Sequence, residues 1–110
     1  MAKLERTLTG DFDALLDYLH DGILSGSASA SWEDGSDYSG PDFRCAVRVY
    51  ERYSLLGGNR VSLTLTLVGE GNRIFISAIT SGGSQAMFFK VNTWGEEAFL
   101  GALQDVVDSL

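Results

Sequence analysis

The chain has 110 residues, 45% hydrophobic and 21% charged, a balance expected of a globular domain and incompatible with bulk disorder. Eight Lys and Arg against 15 Asp and Glu give a formal net charge of −7, which argues against a surface built overall for nucleic acid or anionic membrane. Cys45 is the only cysteine, so an internal disulfide and a cysteine-based metal cluster within one chain are both excluded.

Residues 2–9 alternate Leu4, Arg6 and Leu8 with Lys3, Glu5 and Thr7, which suits a first strand. Asp11 is a good N-cap for the stretch that follows. There Phe12, Leu15, Leu16, Leu19 and Ile23 recur at helical spacing, predicting an amphipathic helix over about 11–24. From Ser25 to Trp32 serine alternates with small apolar residues, and a second strand is expected there. Glu33–Asp42, dense in Asp, Gly and Ser with the single proline Pro41, reads as an acidic surface loop.

Three strands then follow with clear alternation. Phe43–Tyr53 sets Phe43, Cys45, Val47 and Val49 against Arg44, Ala46, Arg48, Tyr50 and Arg52. Val61–Val68 sets Val61, Leu63, Leu65 and Leu67 against Ser62, Thr64 and Thr66. Arg73–Thr80 carries apolar residues on both faces and is expected to be central. Turns fall at 57–59, 69–72 and 81–84. Gln85–Val91 reads as a last strand, and Thr93 with Glu96 makes a capping box for a helix carrying Phe99, Leu103, Val106, Val107 and Leu110.

With no linker, repeat or low-complexity segment, residues 1–110 form a single α+β domain. The expected architecture is a curved antiparallel sheet of about six strands with two helices on one face, in the order β-α-β5-α, by analogy with helix-grip and TATA-binding-protein-like topologies. Phe12, Leu16, Leu19, Phe99, Leu103 and Val106 are expected to cover Val47, Val49, Leu63 and Leu65. The first residues, MAKLERTLTGD, have no apolar run behind their charges, and no window reaches the ~20 apolar residues of a membrane helix. A cytoplasmic protein without membrane association is the resulting expectation.

The stretches LTGDFDALLDYLHDGIL, RCAVRVYERYS, GGNRVSLTLTLVG and ISAITSGGSQAMFFKVNTWGEEAFL together resemble a family of small uncharacterised bacterial α+β proteins, a domain of unknown function. The resemblance spans nearly the whole chain. It implies a free-standing bacterial domain and brings no catalytic residue, cofactor or activity with it.

The arginine stripe is the first candidate site. Arg44, Arg48 and Arg52 share one strand face with Tyr50, and Arg60 and Arg73 flank the neighbouring strands. An arginine fork suits carboxylates and phosphates, so this face is a candidate for a small anionic ligand or an acidic partner; the alternative is pairing with acidic neighbours. The aromatic-glycine signature of an RNA-binding sheet is missing, which argues against nucleic acid. Asp13, Asp17 and Asp21 form an acidic row one turn apart, better read as a solvated face than as cation ligands. Ser81–Gln85 lacks the lysine and glycine spacing of a phosphate loop and reads as a hairpin turn.

His20 is expected on the surface and Cys45 buried as an inert thiol. Trp32, Phe88, Phe89 and Trp94 belong at the core or its edge, where some of them line a cavity between helix and sheet. No nucleophile–base pair, metal triad or cofactor loop can be assembled, so no catalytic residue, metal or cofactor is assigned. A non-catalytic module that binds a small anionic ligand or a protein partner is favoured. An enzyme using His20 or a carboxylate, and a self-associating domain pairing as a homodimer, are the alternatives.

Overall fold

The computed structural model describes residues 2–26, 29–53 and 60–82. In chain order they form β1 (Ala2–Thr9), α1 (Phe12–Ser25), β2 (Ser31–Ser39), β3 (Arg44–Tyr53), β4 (Arg60–Glu70) and β5 (Arg73–Gly82). Every pairing is antiparallel, and the five strands lie in one sheet of order β1-β5-β4-β3-β2.

This arrangement corrects the expected two-helix, six-strand α+β fold. Among the described residues the protein is a mostly antiparallel five-stranded sheet carrying one helix, because only one amphipathic stripe is available there to cover it. The expected strand Gln85–Val91 and the expected helix from Thr93 lie outside the described residues.

Helix α1 forms as its sequence dictates. The Asp11 side chain accepts a hydrogen bond from the Ala14 amide at 2.9 Å and occupies one of the donors left open at the first turn. At the other end the Gly26 amide donates to the Gly22 carbonyl. The apolar stripe Phe12, Leu15, Leu16, Leu19 and Ile23 is buried, packing toward β4. Beneath it Leu63, Leu65, Leu67, Ile74, Ile76 and Ala78 are wholly inaccessible. Each large side chain in that layer contributes ~1.5–3 kcal/mol of transfer free energy relative to exposure.

Two glycines shape this layer. Gly71 opens the two-residue β4–β5 turn with φ +61°, the left-handed region that a primed hairpin turn needs at its first central position. Gly69 lies under Phe12, and a Cβ there would come 2.6 Å from the phenyl Cδ2. The aromatic ring that begins α1 therefore seats on the sheet only because position 69 has no side chain.

Two local expectations are corrected. The second strand is β2, Ser31–Ser39, instead of Ser25–Trp32, so most of the presumed loop Glu33–Asp42 is strand. Nearly all of β2 is exposed. A strand that is the edge of the sheet among the described residues, and exposed along nearly its whole length, has no apolar period to read, and its pairing with β3 decides its conformation.

The second correction concerns which face of β3 meets the helix. Directly opposed residues share a face, and Ala46, Arg48, Tyr50 and Arg52 oppose Leu67, Leu65, Leu63 and Val61 of the buried layer. The arginine face is thus the helix side. Cys45, Val47 and Val49 lie half-buried on the face turned away from α1, opposite Val68, Thr66 and Thr64, so Cys45 is not the fully buried thiol expected. Ala46 and Tyr50 are the fully buried residues of β3, with Arg48 and Arg52 half-buried beside them. No helix among the described residues is long and apolar enough to cross a membrane.

Candidate functional site

A cleft of about 310 Å³ opens between α1 and the β2–β3 edge, lined by Leu16, Asp17, His20, Trp32, Gly35, Asp37 and Arg48. Its existence depends on a bulge in β2. The register slips between Trp32 and Asp34, so Trp32 opposes Tyr50 and Gly35 opposes Arg48. Glu33 is the extra residue. Without it, residues three apart would point to opposite faces; with it, Trp32 and Gly35 both face the helix.

Trp32 stands at the mouth of the cleft. It is 55% exposed, against the expectation of a core or core-edge position, yet it is held firmly. Its indole Nε1–H donates to the Asp34 carbonyl at 2.8 Å, and its ring meets His20 in an edge-on contact with centroids 5.7 Å apart.

His20 is half-buried, not the surface histidine expected, and its Nδ1 lies 2.7 Å from the Tyr50 hydroxyl. Tyr50 is fully buried, and this is the hydroxyl's only hydrogen bond among the described residues. Burial pushes the phenol up to about 12, so it keeps its proton at neutral pH; nearby Arg48 opposes the shift and Asp21 adds to it. A buried hydroxyl hydrogen without an acceptor is costly, so Tyr50 donates and Nδ1 accepts. With Nδ1 accepting, the hydrogen of a neutral imidazole sits on Nε2, and His20 is one of the residues lining the cleft.

Arg48 forms the floor. Its Nη2 lies 3.1 and 3.3 Å from the two carboxylate oxygens of Asp37, and its Nη1 donates to the carbonyls of Val47 and Ser36 at 2.9 and 3.4 Å. Its side chain is only 16% exposed. Gly35 allows this: a Cβ there would stand 3.0 Å from both the Arg48 Cδ and the Val47 carbonyl oxygen. Asp17, one helical turn before His20, lines the same cleft and has no cationic partner among the described residues.

The arginine stripe does share a face, but the structure separates its members. Arg44 makes a two-pronged bond to Asp13 at 2.8 Å and lies over the Phe12 ring, 4.4 Å from its centroid. That bond draws Asp13 below the ordinary aspartate value and raises Arg44. A larger hollow of about 720 Å³ beside Arg44, Pro41 and Phe43 has, among its described lining residues, only this already engaged arginine as a cation. Arg48 and Tyr50 belong to the cleft. Arg52 lies half-buried farther along β3, where burial lowers its guanidinium. Arg60 pairs with Glu51 at 3.2 Å. Pairing with acidic neighbours therefore accounts for Arg44, Arg48 and Arg60.

Of the acidic row, Asp13 serves Arg44 and Asp17 serves the cleft. No group of three His, Cys, Asp or Glu side chains suited to a metal ion occurs among the described residues. Gly35, Asp37 and the position of Trp32 could not be found by alternation, since the bulge that aligns them has no periodic signature. His20 and Tyr50 lie 30 residues apart, and only the fold makes them neighbours.

The full chain, residues 1–110, matches a family described as of unknown function (DUF6054). The protein belongs to that family, which assigns it no activity. A search of curated proteins finds no match.

Proposed function

We propose that this member of a family of unknown function is a non-catalytic module that binds a small polar molecule in the cleft between α1 and the β2–β3 edge. The observation that carries this reading is Trp32, a large aromatic left 55% exposed but fixed by its own indole hydrogen bond and by His20. Immobilising an exposed ring in advance lowers the ordering cost of binding, and the ring supplies contact area at the mouth of a concave site.

The hydrogen-bonding groups support binding over catalysis. His20 offers Nε2–H, a donor, so the neutral ring has no lone pair to take a proton from a molecule in the cleft. A buried tyrosine whose pKa stands at about 12 is a poor nucleophile and a poor base. Arg48 is held by Asp37 and two carbonyls and serves as a fixed wall.

Native mass spectrometry of the protein purified from its source cells tests this. A retained adduct of small-molecule mass on the native chain, lost in Trp32→Ala, is expected. An adduct unchanged by Trp32→Ala, or a bare mass for both forms, contradicts the assignment.

A further inference from the structure

We infer that the molecule held in the cleft is an organic cation, its positive charge set against Asp17 and the exposed ring of Trp32; this rests on the reading of the cleft as a ligand site. The charges of the lining point that way. Arg48 and Asp37 neutralise each other at 3.1 Å, and the Nδ1 side of His20 is taken up by the Tyr50 hydroxyl. Of the two carboxylates in the lining, Asp17 is the one without a cationic partner among the described residues.

Three further features favour a cation. Tryptophan is the best aromatic partner for one, and the exposed area of Trp32 leaves room for that contact. Both Nη nitrogens of Arg48 are engaged and its side chain is largely covered, so an incoming anion would compete with Asp37 for them. The chain as a whole is at −7, which raises the local concentration of cations around a cleft of the same sign. The His20 N–H adds a demand for an acceptor, so the fitting ligand is an amine or quaternary ammonium compound that also carries an oxygen.

Choline and its uncharged isostere 3,3-dimethylbutan-1-ol separate charge from shape, and inorganic phosphate serves as the anion. Each is titrated into ¹⁵N-labelled full-length protein while following the Trp32 indole N–H resonance, assigned by its loss in Trp32→Phe. Choline should shift this signal and bind roughly tenfold more tightly than the isostere, and Asp17→Asn should remove that difference. Equal binding of choline and the isostere, a preference that survives Asp17→Asn, or a response to phosphate alone overturns the cation while leaving the cleft as a ligand site. No response to any of the three overturns both.

Discussion

The Tyr50 hydroxyl stands 2.7 Å from Nδ1 of His20, which ties the middle of β3 to the last turns of α1 and orients the histidine that faces the cleft. Tyr50→Phe removes this bond and leaves Nδ1 without its partner, at an expected cost of about 1 kcal/mol in denaturant unfolding near neutral pH. The phenol has an ordinary pKa of 10.0, raised to about 12 in the folded protein by burial. Above pH 10 the unfolded chain loses this proton while the folded chain keeps it, so stability falls between pH 10 and 12. The stability gap between the native chain and Tyr50→Phe should therefore narrow from pH 8 to pH 11. A constant gap would mean that the phenol titrates normally.

Gly69 and Phe12 give a packing test. A methyl at position 69 would stand 2.6 Å from the Phe12 ring, and the ring cannot retreat without lifting the start of α1. Gly69→Ala should destabilise by ~1–3 kcal/mol, the range for overpacking, despite alanine's better strand propensity. The double variant Gly69→Ala with Phe12→Leu should recover part of the loss. Wild-type stability for Gly69→Ala alone would contradict this seating.

The Arg44–Asp13 bond sets an acid limit. Hydrogen bonding to Arg44 lowers Asp13 from its ordinary 3.8, so its contribution is fully present above that pH and fades as pH falls through the lower folded value. Native protein and Asp13→Asn should differ in thermal midpoint at pH 6, and the difference should shrink toward pH 2.5 and in high salt, since both groups are exposed. A difference independent of pH would assign it to something other than the ion pair.

Leu65 tests the core. It is completely buried between its neighbours on β3 and β5 and beneath α1, and Leu65→Ala should cost ~2–5 kcal/mol. A loss under 1 kcal/mol, measured by urea unfolding, would contradict the packing.

Helix α1, β1, β4 and β5 were legible because each buries one regular stripe, and regular burial leaves a period in the sequence. Strand β3 misled for a physical reason. Its apolar set, Cys45, Val47 and Val49, lies on the face turned away from α1, while Ala46 and Tyr50 go under the helix with the arginines around them. Cross-strand register with the leucines of β4 outweighs the local alternation of β3. Strand β2 left no period because it buries almost nothing. Arg48 and Tyr50 were legible as members of a candidate face. Their partners His20, Trp32, Gly35 and Asp37 were not, since a bulge and a contact spanning 30 residues assemble them.

The central claim, that the cleft beside Trp32 holds a ligand, is tested most directly by adding a small-molecule extract of the source cells to ¹⁵N-labelled protein and following the Trp32 indole N–H. The expected result is a saturable shift of that signal, accompanied by backbone shifts confined to the surroundings of Asp17, His20, Gly35 and Arg48. An indole signal that stays fixed at every extract concentration, or shifts that cluster away from these residues, would contradict it.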